Sequence, residues 1–333
     1  MPEDFRHEQI KELIQNSNSF AILTHERPDG DAISSAIAVY WYIKSNVSNV
    51  DIDIIISEYS KKFSFLPGFE NIKTEPSREQ YDMLIIVDVS EPHRTNGYDV
   101  VSKCCSKTIC FDHHEGFALE GCNACIINPS APSTTAILLD LFGNVNLEFL
   151  ECVVTGILSD TQNLTFNTND VTVYTVRALE KLGVNVKTIK ELVAKKEPRT
   201  VALTKLALRR TTESKLSNRY KVIFSYINQN DLLKEEQSLA IVDHKQIIKN
   251  ILEEMKTDVL ILAIENNQNE WKFSMRSMIQ ELDLNALCKQ LVERDNSCFL
   301  KGGGHSYSAG LTAMGKYEEI IRNINSNLAE KLA

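Results

Sequence analysis

The chain has 333 residues, enough for two domains of common size, and 43% of them are hydrophobic, which excludes a disordered protein. Its 45 acidic against 36 basic side chains leave a net charge of −9, which argues against a protein that grips long nucleic acid through many phosphate contacts. No apolar run approaches the roughly 20 residues that cross a bilayer, and the charged opening MPEDFRHEQIKELIQNSNSF reads as an amphipathic helix, so a cytoplasmic protein without a membrane partner is expected.

The first half alternates short apolar runs with helical patterns, the signature of a parallel α/β sheet. Strands are predicted at 19–25 (SFAILTH), 50–57 (VDIDIIIS), 81–90 (YDMLIIVDVS) and 107–114 (KTICFDHH), with a helix at 31–46 (DAISSAIAVYWYIKSN). The aromatic triplet within that helix reads as core. Helical spacing returns at 133–144 (STTAILLDLFGN) and 146–161 (NLEFLECVVTGILSDT). The first domain is expected to span 1–185. Residues 186–213, basic and interrupted at Pro198, read as a helical connector to a second domain at 214–333. That domain carries strands at 219–227, 257–266 and 270–277, a helix at 282–295, and the glycine cluster LKGGGHSYSAG. The fold class is therefore α/β in two domains, a parallel-sheet domain followed by a smaller α/β domain, with a cleft between them. Eight cysteines without a secretory signal read as thiols. Cys122 and Cys125 have the spacing of half a zinc site, but no second C-x-x-C pair exists to complete it.

Ligands of an open parallel sheet bind at the carboxyl ends of its strands. The first strand ends in THERPDGD, which supplies His25, Asp29 and Asp31; the third ends at Asp88, and the fourth at Asp112, His113 and His114. Asp160 closes an apolar helix in TGILSDT. If His25, Asp29, Asp31, Asp88, His113 and Asp160 meet on one rim, four carboxylates stand together. They could not all stay ionised uncompensated, because like charges raise one another's pKa. Two divalent cations would balance them, with Asp88 between the two. Oxygen-rich ligands with a minority of imidazole favour manganese or magnesium over zinc. Such a pair of ions suits in-line attack on a phosphoester.

HERPDGDA, VDVSEPHR, FDHH and GILSDT resemble, in order and spacing, the four motifs of the DHH phosphoesterase superfamily. SMRS and KGGGHSYSAG resemble the glycine-rich substrate domain that accompanies it, so the likeness covers nearly the whole chain. The nearest subgroup in this resemblance is the two-domain bacterial enzymes that degrade RNA of a few nucleotides and dephosphorylate pAp. The resemblance implies that His25, Asp29 and Asp88 hold one metal and Asp31, Asp88, His113 and Asp160 the other. It makes manganese the favoured ion, with magnesium or cobalt as alternatives. Of the catalytic residues it implies, Asp88 joins the two ions, His114 faces the scissile phosphate and Asp112 orients a histidine. The chain departs from the family at Gln162 and Asn163, where glycine is common after Asp160-Thr161, and at Ser34.

Three successive glycines, Gly302, Gly303 and Gly304, allow backbone amides to approach an anion, although glycine clusters are also ordinary loop punctuation. The resemblance implies that Arg276, Ser277, these glycines and His305 grip the nucleotide end of the substrate. Arg94, beside His93, reads either as a phosphate contact or as part of a solvated loop. Expected substrates are short RNA oligonucleotides, dinucleotides or pAp, not long nucleic acid, bound by a monomer or homodimer. The alternatives are a cyclic- or linear-dinucleotide phosphodiesterase and a catalytically silent nucleotide-binding regulator. The second would be marked by a missing metal ligand, and none is missing.

Overall fold

The apolar runs of the first half form β1 (Ser19–Leu23), β2 (Asp51–Ile55), β3 (Ile72–Lys73), β4 (Tyr81–Val87), β5 (Cys105–Asp112) and β6 (Ala124–Ile127). In this computed structural model, which describes residues 3–332 apart from 96, 116–120, 167, 196–197, 218, 235–241, 243 and 268, they pair in the order β3-β2-β1-β4-β5-β6. Every pair in this sheet is parallel. Both faces of the central strands are buried, which is why β1 and β4 carry the continuous apolar runs FAIL and MLIIV. One face, with Phe20, Ile22, Met83, Ile85 and Phe111, packs beneath α1 (Glu3–Gln15), α2 (Gly30–Asn46), α4 (Thr134–Phe142) and α5 (Leu147–Asp160). The other gathers Ala21, Leu23, Leu84, Ile86 and Cys110 with Val101 of the short α3 (Tyr98–Val101). The helices begin at side chains suited to capping: Asp29 for α2, Ser133 for α4 and Asn146 for α5. Tyr42 is buried in this core, stacked on Phe142.

The chain divides into two compact units, Met1–Lys195 and Lys196–Ala333. Residues 186–213, read as a connector, contain two helices that belong to different cores. After α6 (Asp170–Lys181), α7 (Val186–Ala194) buries Val186, Ile189 and Val193 in the first unit. α8 (Pro198–Arg209) buries Leu203 and Ala207 in the second. Pro198 opens α8, where the missing amide hydrogen would have had no partner anyway.

The second unit is built on β7 (Thr212–Leu216), β8 (Tyr220–Ile227), β9 (Val259–Asn267), β10 (Glu270–Ser277), β11 (Phe299–His305) and β12 (Ser308–Met314). They pair in the order β11-β12-β10-β9-β8-β7, parallel only between β8 and β9. Alternation sorts its faces: Val222, Phe224, Val259 and Ile261 lie with α11 (Leu284–Arg294) and α12 (Tyr317–Lys331). Ile223, Leu260 and Leu262 lie with α8 and α10 (His244–Met255), near α9 (Gln229–Lys234). The glycine cluster, open to reading as a loop, is a strand: Gly302–Gly304 sit in β11 at the edge of the sheet. Among the described residues no helix is long and apolar enough to cross a membrane. All eight cysteines are free thiols.

Candidate active site

The strand order reverses between β1 and β4, and a crevice opens at such a switch point because the loops beyond the two strands depart in opposite directions. His25, Asp29 and Asp31 follow β1, and Asp88 follows β4 at once. Asp88 holds a left-handed backbone, φ +61°, with its amide bonded to Phe111 O at 2.8 Å. This costs energy that the surrounding structure sustains, and such conformations concentrate at functional sites. Asp112 ends β5, followed by His113 and His114, and Asp160 ends α5.

These residues form three overlapping groups whose ligand atoms lie within 4.8 Å of one another: His25 with Asp29 and Asp88; Asp31 with His113 and Asp160; and Asp88 with His113 and His114. Asp88 Oδ2 lies 3.5 Å from His25 Nε2, and Asp88 Oδ1 lies 3.6 Å from His113 Nε2. His113 Nε2 is also 3.1 Å from Asp160 Oδ2 and 4.0 Å from Asp31 Oδ2. Cys122 and Cys125 enter no such group among the described residues.

The second ring nitrogens fix what the first can do. His25 Nδ1 meets the carbonyl of Glu26 at 2.7 Å and His113 Nδ1 that of Ala131 at 3.3 Å. A carbonyl only accepts, so each Nδ1 carries the hydrogen and each Nε2 can offer its lone pair to the carboxylate side. His113 Nε2 is buried among three carboxylates, with no well-aligned hydrogen bond to any of them, and can hold either a proton or, once that leaves, a lone pair directed at a cation. A buried lone pair aimed among carboxylate oxygens fits a divalent cation.

Electrostatics agree. Burial first, then Asp29 and Asp160, push the Asp88 carboxyl up to about 8. Asp31 is raised well above the usual range by burial and by Asp88 and Asp160. Burial alone would lower His113, but Asp160, Asp31 and Asp88 overcome it and raise the imidazole to about 10. The metal-free protein therefore holds protons where cations would neutralise the same charge. His114 is raised chiefly by its contact with Asp112, Nδ1 to Oδ1 at 2.8 Å. Asp112 is buried, which alone would raise it, yet its hydrogen bonds with His114 hold it below the ordinary value.

Residues that the sequence did not single out complete the site. The start of α4 grips Asp31: Thr134 N donates to Oδ2 at 2.6 Å and Thr135 N to Oδ1 at 3.2 Å, the hydroxyl of Thr135 adding a bond at 3.0 Å. A helix N-terminus stabilises an anion in this position. Thr134 Oγ1 donates to Asp88 Oδ1 at 2.8 Å, so one helix start orients two carboxylates. Gly156 makes room for this: a Cβ there would stand 2.2 Å from Thr135 Oγ1 and 2.4 Å from Asp31 Oδ1. The helical spacing of 133–144 was visible, but not that the free amides at its start would meet a carboxylate 103 residues away.

Arg94 lies beside this region, its carbonyl accepting from Glu26 N at 2.8 Å, while its side chain is half-exposed against Glu91. Gln162, Asn163 and Leu164 take three successive left-handed conformations just after Asp160. In the second unit, Arg276, Ser308 and His305 are register partners across β10, β12 and β11, which places Arg276, Ser277, Gly302–Gly304 and His305 at one end of the sheet. Gly304 N donates to Asn285 Oδ1 at 3.2 Å, so that amide already has a partner.

Residues 19–157 match the DHH family, N-terminal domain, and residues 220–330 match the DHHA1 domain. The chain is similar to the bifunctional oligoribonuclease and PAP phosphatase NrnA of Thermus thermophilus. The two are 30% identical over 171 residues, a stretch that covers 50% of this chain and 50% of that protein. The chain thus matches about half the length of this curated relative. Its fold is similar to that of an exopolyphosphatase-related protein from Bacteroides fragilis, with a TM-score of 0.78 at 20% identity over 99% of this chain and 98% of the other. It is also similar in fold to RecJ in complex with Mn2+ from Thermus thermophilus, with a TM-score of 0.54 at 12% identity over 98% of this chain and 54% of that one.

Proposed function

The chain belongs to the DHH family, its DHH domain followed by a DHHA1 domain, and on that premise we propose that it is a manganese-dependent phosphoesterase. Its substrates in this reading are short RNA oligonucleotides, cut to mononucleotides, and pAp, converted to AMP. The observation that carries the reading is Asp88, a buried carboxylate shared by the two groups that contain His113 and His25. Two divalent cations bound there would activate a water and neutralise charge on the phosphoryl group. Similarity to the oligoribonuclease and PAP phosphatase NrnA supports the substrate class.

The protein's own groups have separable tasks. His25, Asp29 and Asp88 would hold one ion, and Asp31, Asp88, His113 and Asp160 the other. Thr134 and Thr135 keep Asp31 and Asp88 in fixed rotamers, so little reorganisation is needed at the moment of reaction. Asp112 holds the proton on His114 Nδ1 and favours the imidazolium, whose Nε2–H then donates to a phosphoryl oxygen or to the departing ester oxygen. In the second unit, Arg276 and His305 would hold the nucleotide end of the substrate.

A second reading, hydrolysis of cyclic or linear dinucleotides, is favoured by one feature, the left-handed turn Gln162–Leu164 just beyond Asp160, where the sequence departs from the family motif it resembles. The two are separated by assaying pAp, a 5′-labelled RNA trimer and cyclic di-AMP with manganese, magnesium or cobalt. Turnover of pAp and the trimer with the cyclic compound intact supports the first reading. Cleavage of cyclic di-AMP alone overturns it in favour of the second.

A further inference from the structure

The hairpin between β11 and β12 carries an aromatic side chain for which the fold has no packing use. Tyr307 is 63% exposed. Its backbone is nonetheless fixed from two sides: its carbonyl accepts from Ser277 N at 3.0 Å, and the carbonyl of the preceding Ser306 accepts from Leu284 N at 2.7 Å. An exposed aromatic on an anchored backbone has only its own two torsions left to order on binding, which makes stacking on it inexpensive in entropy.

Its neighbours have the chemistry of nucleotide recognition. The Tyr307 ring lies nearly parallel to that of His305, at 14° with centroids 6.0 Å apart, so a planar group continuing the stack meets a prearranged face. Arg276, on the neighbouring strand β10, pairs in register with Ser308. Burial lowers its guanidinium pKa, and Tyr307 is near enough to oppose that. Asn285 supplies a polar group. Its Oδ1 accepts from Gly304 N, and because a backbone N–H can only donate, the amide orientation is determined. Its Nδ2 is left as a donor pair beside the glycines, with no acceptor among the described residues.

We propose that Tyr307 stacks on the nucleobase of the substrate and that Asn285 Nδ2 donates to the sugar or phosphate of the same nucleotide, so that this hairpin selects nucleotides over base-free phosphoesters. This rests on the nucleotide-phosphoesterase reading above and names the residues that confer its selectivity. Stacking of one base on an aromatic is worth about 1–3 kcal/mol, or roughly 5- to 150-fold in affinity.

Calorimetric titration of AMP into the full-length protein tests the inference without requiring turnover. Tyr307→Ala should raise the AMP dissociation constant at least 5-fold, and Tyr307→Phe should restore it, since stacking needs the ring and not the hydroxyl. Asn285→Asp keeps the acceptor for Gly304 N–H but exchanges the donor pair for a negative charge, and should weaken AMP by a comparable factor. In turnover assays, Tyr307→Ala should reduce the preference in kcat/KM for pAp over ribose 3′,5′-bisphosphate, mainly through KM. Equal AMP affinity in wild type and Tyr307→Ala, or loss in Tyr307→Phe equal to that in Tyr307→Ala, overturns the stacking role. Undiminished affinity in Asn285→Asp overturns the role of Asn285. Failure of the parent reading is distinct: the wild type would then neither bind AMP nor hydrolyse pAp.

Discussion

Gly156→Ala adds one methyl group to an apolar helix, where propensity alone predicts stabilisation of about 1 kcal/mol. The structure predicts the opposite. The new Cβ would stand 2.2 Å from Thr135 Oγ1 and 2.4 Å from Asp31 Oδ1, against about 3.4 Å for an ordinary contact, so these groups must retreat by about 1 Å. Overpacking of this size costs about 1–3 kcal/mol, enough to outweigh the propensity gain. The side chains that must move are held by the start of α4, so displacement also strains the bonds from Thr134 N and Thr135 N to Asp31. A net loss near 1 kcal/mol corresponds to about 2–4 °C in Tm for a unit of this size. Catalysis should suffer more, because misplacing a reacting group by about 1 Å costs on the order of 100-fold. The assays are thermal unfolding by circular dichroism and manganese-dependent pAp hydrolysis. A variant with raised Tm and wild-type kcat would refute the claim that Gly156 is dictated by the site.

Other consequences are open to direct measurement. Asp53 is buried, yet donors from Lys73, Ser77 and Tyr81 hold its carboxyl at about 2, below the ordinary 3.8. A depressed folded value stabilises above the unfolded pKa and is lost as pH falls toward 2, an amount of about 2 kcal/mol here; urea unfolding at pH 6 and pH 3 should show a smaller pH dependence in Asp53→Asn, and an unchanged one contradicts the network. Because Asp112 raises His114, Asp112→Asn should lower that pKa and move the alkaline limb of the kcat profile to lower pH; an unmoved limb, with kcat retained, removes the imidazolium from the mechanism. With Asp88 at about 8 and His113 at about 10, the metal-free site carries protons at pH 7, so manganese binding should release them. Titration in buffers of different ionisation enthalpy measures that release, and buffer-independent heats would contradict it. Chelation should also lower Tm.

The clustered histidine and aspartate positions were legible because each stands at or just beyond the end of an apolar run, and a parallel sheet brings such ends together whatever their separation in sequence. His25, Asp31, Asp88 and His113 meet for that reason. Less was visible where the fold breaks local pattern. β3 is two residues long and β6 four, too short for alternation to register. β11 carries the run Gly302–Gly304, which reads equally as a loop, yet Gly302 is demanded by packing: a Cβ there would meet Leu311 Cδ1 at 2.7 Å and Cys288 Cβ at 3.0 Å. α7 and α8 were seen as helical, but their membership of separate cores depends on contacts with distant residues. Thr134 and Thr135 escaped notice because a capping sequence gives a helix start and says nothing of which carboxylate occupies it.

The central claim is that Asp88 joins the groups into one metal-dependent catalytic site. Manganese-dependent pAp hydrolysis by Asp88→Asn beside the wild type tests it most directly. Asparagine adopts the left-handed backbone that position 88 requires, and it removes a buried carboxylate that is unfavourable without metal, so the fold should persist. Turnover by the wild type, with loss of at least 1000-fold in a variant of unchanged circular dichroism, is the predicted result, equivalent to about 4 kcal/mol of transition-state stabilisation. Hydrolysis by the folded variant at a rate near the wild type would contradict it.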